Sequence, residues 1–504
     1  MKKALPLMIQ GTNSDAGKSM IVTAFCRIFA REGYKTAPFK SQNMALNSYI
    51  TADGAEIGRA QGVQAEAAGI SATAEMNPIL IKPANGQESH IIVKGKPYQK
   101  MRGMQYREEF YEQGLQIVKD CFEQLSARYE RIVIEGAGSP AEINLNDREL
   151  ANMSVARIAD APVIIVGDIE KGGVFASLVG TLQLLREKDR QRVIGVIINK
   201  FHGDKSLLQP ALDWFEEYTG VPVFGVVPYL PGLNIEAEDS VVLDRYRTKR
   251  KATGEIDIAV IRYPRVANFT DLAPFFAETD CNVRFVRSAW QLEEPDLVIL
   301  PGTENVADDM AFLEESGLKR EMVQLSQNGR TVLFGIGGGF AMLGEEIVAQ
   351  GEETKCNKIS GLGLLPVRTD WTAGRLTARS EGVLHYAGKQ FFVKGYTVGG
   401  GQTLLGEGVR ALVQYGSGAD GCVSGNERVL GTNFHGIFHN DKFRAHLLNR
   451  LRTGKGLPPV ADRVSFRRLK EEAFDRLADH VKTHVNIEAI VRKMKEFQQR
   501  REKR

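Results

Sequence analysis

The stretch ALPLMIQGTNSDAGKS, residues 4–19, is an apolar run broken only by Gln10, followed at once by a glycine loop that ends in Lys18 and Ser19. Beyond it Ile21, Ala24, Phe25, Ile28 and Phe29 recur at three- and four-residue steps, the period of a helix with one apolar face. Strand, loop and helix in that order aim free backbone amides and a positive helix end at the loop, so an anion such as phosphate is held there. The apolar run at the start is too short for a signal segment and reads as a first buried strand.

Working outward, RIVIEGAG (131–138), APVIIVGDI (161–169) and RVIGVIINK (192–200) alternate with segments of helical period, the signature of a parallel sheet. A proline- and charge-rich passage then breaks the pattern and reads as a linker. A second α/β pattern follows, with IDIAVIRYP, DLVILPG and RTVLFGIGGG as strands. We therefore expect a phosphate-binding α/β domain at 1–232, a linker at 233–254, a second α/β domain at 255–445 and a helical tail at 446–504. In the tail, Phe466, Leu469, Ala473 and Leu477, then Ile487, Ile490, Val491 and Met494, mark a docking helix pair, and the terminal QQRREKR reads as a solvated helix end.

Composition narrows the function. Against 65 basic residues stand 62 acidic ones, so no strong overall field points to nucleic acid or an anionic membrane. Cys26, Cys121, Cys281, Cys356 and Cys422 are scattered and odd in number, which argues against a disulfide framework or a zinc site and for a cytoplasmic location. No apolar stretch approaches the roughly 18 residues of a membrane span.

Gly11, Thr12, Asp15, Gly17, Lys18 and Ser19 are the candidate nucleotide-binding residues, although the loop departs from the GxxxxGK[ST] spacing. Lys18 is expected to reach the terminal phosphates and the Ser19 hydroxyl to ligate Mg²⁺, with Glu135 or Asp15 as the acidic partner. Asp168 ends one strand, and Asn199 and Lys200, ending the next, are candidates to read the nucleotide base.

The loop GTNSDAGKS is similar to that of the dethiobiotin synthetase group, which activates carboxylates or carbamates by phosphorylation. FKSQNMALNS, AEIGRAQGVQAEAA, MNPILIKP, EGAGSPAEINL and GDIEKGGVFAS together resemble the cobyric acid synthase family over residues 1 to about 445. The resemblance implies a P-loop-type parallel-sheet domain followed by a glutamine amidotransferase domain of class I type. It implies an ATP- and Mg²⁺-dependent ligase that amidates the b, d, e and g carboxylates of adenosylcobyrinic acid a,c-diamide in cobalamin synthesis. Lys40, Ser41, Gln42 and Asn43 would then face the corrinoid together with Asp168, and Lys82 would meet its carboxylates. Self-association is compatible with the sequence.

In such a second domain a cysteine on a strand-to-helix elbow attacks glutamine, and a histidine serves as its base. Here the elbow reads LFGIGGGFAMLG, so Gly337 stands at the cysteine position and thioester chemistry is excluded there. His435 in GTNFHGIFHND matches the histidine. Glu304, Val306, Ala341, Thr397 and Gly399 depart from the family pattern in the same half, which points to natural loss of glutaminase function rather than one engineered change. Ammonia, free or from a partner, would supply the nitrogen. The competing readings are a related ligase of the cobyrinic acid a,c-diamide synthase type, a positioning ATPase with the same loop, and a non-catalytic corrinoid-binding scaffold.

Overall fold

A strand with one polar residue needs cover on both faces, and β1 (Leu5–Gly11) is buried at every position. The chain is described from a computed structural model at residues 4–83, 88–145, 147–233, 235, 254–350, 356–416 and 418–502. After β1, the left-handed Gly17 (φ 96°) turns the backbone into α1 (Lys18–Arg31), whose Ile21, Ala24, Phe25, Ile28 and Phe29 are all buried. There follow β2 (Thr36–Phe39), β3 (Gln42–Met44), α2 (Arg59–Ala67), β4 (Ile79–Pro83), β5 (Glu88–Val93), β6 (Lys96–Arg102), α3 (Tyr111–Arg128) and β7 (Arg131–Glu135). β8 (Val163–Asp168), α4 (Val174–Leu184), β9 (Val193–Phe201), α5 (Gln209–Thr219) and β10 (Val223–Pro228) complete this stretch. The main sheet has the order β10-β9-β8-β1-β7-β2 with every pair parallel. β1 lies inside it, and the carboxyl ends of β1, β7, β8 and β9 share one edge. A smaller sheet, β3-β4-β5-β6, stands beside it.

The later stretch holds β11 (Ile256–Ile261), β12 (Cys281–Val286), β13 (Leu297–Leu300), α6 (Val306–Glu315), α7 (Leu318–Gln327), β14 (Val332–Ile336) and α8 (Gly338–Leu343). β15 (Val367–Tyr386), β16 (Lys389–Leu405), β17 (Cys422–Val423), β18 (Val429–Thr432) and the helices α9 (Asp441–Gly454), α10 (Phe466–His484) and α11 (Ile487–Glu502) follow. Its sheet runs β12-β11-β13-β14-β18-β17, parallel except for the last pair. β15 and β16 form a long antiparallel hairpin, turned by Ala387 and Gly388 at φ 50° and 73°, the positive values that a tight hairpin turn favours.

Two compact units result: residues 1–45, 55–235 and 470–504 form one, and residues 46–54 and 236–469 form the other. The expected domain boundaries differ from these units in two places. Leu46–Gly54 packs with the second unit, where Ser48 N–H donates to Asn268 Oδ1 at 3.1 Å and the Thr377 hydroxyl donates to Gly54 O at 2.8 Å. From Lys470 onward the tail joins the first unit, burying Leu477, Ala478, Val481, Ile490 and Met494 in its core. There Asn486 N–H donates to Phe224 O of the edge strand β10 at 2.9 Å. Most of the expected linker, 233–254, falls outside the described residues. Among the described residues no helix is long and apolar enough to cross a membrane.

Candidate functional site

In the first unit the candidate side chains gather where β1 and β7 end. Lys18 folds back across the loop, its ammonium 2.8 Å from Asn13 O and 3.0 Å from Gly138 O. Ser19 donates its hydroxyl to Glu135 Oε1 at 2.8 Å, and the Lys40 ammonium reaches the same oxygen at 2.9 Å. Gln64, on α2, donates to Glu135 Oε2 at 2.5 Å. Burial of Glu135 works to raise its pKa, but the charge of Lys40 and the hydrogen bonds from Lys40, Gln64 and Ser19 outweigh it and hold the carboxyl below its ordinary value. The carboxylate is therefore ionised near neutrality.

The loop's shape is enforced by neighbours. Asp15 takes φ 59° and is exposed, and a Cβ on Gly17 would fall 2.0 Å from Asn199 Nδ2, which itself donates to Ala16 O at 3.0 Å. Asn199 thus braces the loop instead of presenting its amide nitrogen to a base. Lys200 is likewise engaged, at 2.7 Å from Asp168 Oδ2. The side-chain oxygens Thr12 Oγ1 and Asn13 Oδ1, by contrast, are buried with no hydrogen-bond partner among the described residues. Buried polar atoms seldom stay unpaired, and ordered water, an ion or a ligand completes them.

Below the loop, the expected corrinoid-facing residues separate. Gln42 lines a cavity of about 370 Å³ with Met44, Tyr106, Arg107, Leu145 and Arg148, and it accepts the Tyr106 hydroxyl at 2.6 Å. Ser41 instead donates to Leu150 O at 2.5 Å, and Asn43 donates to Gln61 Oε1 at 3.1 Å. Lys82 is 1% exposed and pairs with the equally buried Glu56 at 2.9 Å, so it does not present an ammonium to solvent. Each of these polar groups satisfies another buried group, as burial demands. The loop after β7 that walls the cavity is shaped by Glu149, whose carboxylate accepts Ala151 N–H at 2.7 Å and Ser154 N–H at 2.6 Å.

In the second unit the elbow persists without its side chain. Gly337 sits between β14 and α8 at φ 54° and ψ −117°, a conformation that costs any other residue strain. A Cβ there would lie 2.9 Å from His435 Nε2. His435 Nδ1 is 2.7 Å from Asp271 Oδ2, and Asp271 Oδ1 accepts Gly436 N–H at 2.6 Å. The imidazole also stacks on Tyr396, with ring centroids 5.4 Å apart. The imidazole, held by the carboxylate, is thus aimed at a position where, among the described residues, no nucleophilic side chain stands. Cys26, Cys121, Cys281 and Cys422 are buried elsewhere in the fold, and burial pushes the Cys422 thiol up to about 11. The side chain of Cys356 lies outside the described residues.

Beside the elbow, the turn after β13 is tied down by buried groups. Thr303 donates its hydroxyl to Asp309, which also accepts Arg265 N–H at 3.1 Å. Burial raises the Asp309 carboxyl to about 6 against those hydrogen bonds. The indole of Trp371 covers Gly338, where a Cβ would come within 3.4 Å of it.

Sequence reasoning missed Gln64 and Asp271. Gln64 lies inside the stretch AEIGRAQGVQAEAA, which carries the resemblance but gives no role to any one of its residues, and Asp271 is 164 residues from the histidine beside it. An acid just after the first strand of the second α/β pattern was the available signal.

Comparison with known proteins covers both units. A family model described as the CobQ/CobB/MinD/ParA nucleotide binding domain matches residues 7–242, and the CobB/CobQ-like glutamine amidotransferase domain matches residues 257–443. A cobyric acid synthase of Geobacillus sp. (strain WCH70) is 58% identical over 501 residues, spanning 99% of this chain and 100% of its own length. That of Anoxybacillus flavithermus is 58% identical over 499 residues, 99% of both chains. The cobyric acid synthase of Pelotomaculum thermopropionicum is 45% identical over 506 residues, 97% of this chain and 96% of that one.

Proposed function

The chain belongs to the cobyric acid synthase family over its whole length, and from that premise we propose that it converts adenosylcobyrinic acid a,c-diamide to adenosylcobyric acid in the cytoplasm. It forms amides at the b, d, e and g carboxylates at the expense of ATP, taking nitrogen as ammonia. The observation that carries the nitrogen assignment is His435 Nε2 facing the Cβ position of Gly337 with Asp271 behind it and, among the described residues, no thiol between.

A carboxylate is a poor electrophile at neutral pH. Its oxygen therefore first attacks the γ-phosphorus of ATP, the bond to the β-phosphate oxygen breaks, and ADP leaves. The resulting acyl phosphate has a good leaving group. Ammonia adds to its carbonyl carbon, loses a proton, and the tetrahedral species collapses to the amide with release of phosphate. Lys18 and the amides at the start of α1 stabilise charge on the transferring phosphoryl group. The cavity beside Gly138 is apolar at Met44 and Leu145 and mixed in charge, with Arg107 and Arg148 set among Glu142 and Glu149; its apolar patch and its two arginines are the features that favour a macrocycle with peripheral carboxylates.

The oxygen donors at this site fit Mg²⁺, a hard cation. Ser19 and Glu135 would hold it, already within hydrogen-bond distance of each other, while Asp15 faces solvent. Its chemistry there is to neutralise phosphate charge.

The test is amide formation on the a,c-diamide with Mg²⁺ and ATP, supplied with either ammonium chloride or glutamine. Product with ammonium and none with glutamine is expected. Product with glutamine from protein free of other glutaminases would overturn the nitrogen assignment, and no product with either would overturn the ligase reading.

A further inference from the structure

Glu135 is 1% exposed, and an ionised carboxylate at that depth requires a counter-charge. The Lys40 ammonium supplies it at 2.9 Å, on the same Oε1 that takes the Ser19 hydroxyl at 2.8 Å. Lys40 itself is 6% exposed, so its ammonium has been withdrawn from water to reach this place. Lys40 follows β2 on an unbranched four-carbon stem, which can carry its charge elsewhere without moving the sheet.

The surroundings are built for more than a lysine. Gln64 is fully buried, and while its amide nitrogen donates to Glu135 Oε2 at 2.5 Å, its carbonyl Oε1 has no partner among the described residues. Thr12 Oγ1 and Asn13 Oδ1, in the adjoining loop, are in the same condition. Ammonium groups are donors, so a site meant only for Lys40 has no use for extra acceptor oxygens that Lys40 does not reach. A divalent cation does.

We propose that Lys40 is the resident cation of the metal position, exchanged for the divalent ion when nucleotide arrives, and that the Gln64 carbonyl completes the oxygen set with Ser19 and Glu135. The exchange gives Lys40 two roles in sequence. Before nucleotide binds it neutralises Glu135 and keeps the site closed to free metal. Afterwards like charge drives its ammonium off Glu135 and leaves it available to the phosphates or the carboxylate being activated. The inference rests on the reading of the loop as a nucleotide site, and it assigns Gln64 on α2 as a ligand.

The test uses the full-length protein with Mn²⁺ as probe, followed by electron paramagnetic resonance, with ADP present and neither corrinoid nor nitrogen donor. Lys40→Met keeps the length of the side chain and removes the charge. It is expected to bind Mn²⁺ roughly tenfold more tightly than the unaltered protein, because no like charge has to be displaced. Gln64→Met is expected to bind it roughly tenfold or more weakly. Melting curves by circular dichroism establish that each variant is folded, and Lys40→Gln, which retains a hydrogen-bond donor, decides if Lys40→Met is not. Equal or weaker Mn²⁺ binding on loss of the Lys40 charge overturns the exchange, and unchanged binding by Gln64→Met removes Gln64 from the set. ADP affinity measured without divalent ion separates the two levels: ADP that fails to bind the unaltered protein refutes the nucleotide site itself, whereas normal ADP binding with unaltered metal affinities refutes the exchange alone.

Discussion

Gly337 and His435 keep the geometry of a strand-to-helix elbow and an oriented imidazole around a position that carries no side chain. The elbow backbone keeps the φ 54° and ψ −117° that hold a nucleophile clear of its strand, and the imidazole is still oriented by Asp271 at 2.7 Å. Yet a Cβ at Gly337 would stand only 2.9 Å from Nε2, so the ring has to retreat by a few tenths of an ångström to admit a side chain. Gly337→Cys is therefore expected to cost about 1–3 kcal/mol in stability, from positive φ and crowding together. Its thiol, beside an oriented imidazole, should become reactive. Alkylation by iodoacetamide, followed on that peptide by mass spectrometry, is expected to have its pH midpoint below the roughly 8.5 of a free cysteine, and adding His435→Phe should remove the shift. An unshifted midpoint in the single variant would mean that His435 has ceased to address this position. Asp309 offers a second test, through proton linkage. Its folded-state pKa of about 6 lies above its ordinary value because of burial, so the folded protein binds this proton more tightly than the unfolded one. Stability from this group is fully present below about pH 4, declines through the window from about 4 to 6 and stays reduced above it, by roughly 3 kcal/mol at most. In calorimetric melts, the Tm of Asp309→Asn minus that of the unaltered protein is expected to rise over this window and to level off beyond it.

At the scale of elements, the junction of β1 with α1 decides whether nucleotide is held at all. Gly17 at φ 96° leaves no room for a side chain, because Asn199, at the end of β9, fills that space while donating to Ala16 O at 3.0 Å. Gly17→Ala combines an unfavourable backbone with a 2.0 Å collision against the Asn199 amide. It should cost about 2–4 kcal/mol in local stability. Calorimetric titration with ATP is expected to show binding weakened by more than roughly tenfold, with little change in the melting of the second unit. The strand, loop and helix here were legible in sequence because one apolar run, a glycine loop and a 3.6-residue period follow each other without interruption. The β15–β16 hairpin was not: its strands carry Gly382, Gly395, Gly399 and Gly401 and no clean alternation, and what fixes it is the ladder of cross-strand pairs running outward from the Ala387-Gly388 turn. The site divides in the same way. Lys18 and Ser19 announce themselves at the start of α1 and Glu135 at a strand end, whereas Lys82 and Asn43 look like ligand-facing loop residues until the fold supplies Glu56 and Gln61 as partners.

For the whole molecule, linear order in the chain and membership of the two units do not coincide, and this governs what can be cut away. Sequence periodicity found the tail helices but could not say which core they complete, since an apolar stripe fits any apolar face. In the structure Leu477, Ala478, Val481, Val485, Ile490 and Met494 belong to the core of the first unit, although residues 236–469 of the other unit intervene. Gly225 on the edge strand β10 is the mark of that docking, for a Cβ on it would meet His484 O at 2.1 Å. Each large apolar side chain among them contributes about 1.5–3 kcal/mol by leaving water. Their sum is comparable to the 5–15 kcal/mol net stability of an ordinary domain. A fragment ending at residue 255, the natural cut by sequence, therefore lacks part of its own core. It is expected to show no cooperative melt and no ATP binding, while the same fragment co-expressed with residues 466–504 regains both. In the intact chain, Gly225→Val should loosen the tail selectively, so that limited trypsin treatment cleaves within residues 470–500 before any other described segment. A fragment ending at 255 that melts cooperatively and binds ATP unaided would show instead that the tail is a covering and not a part of the core.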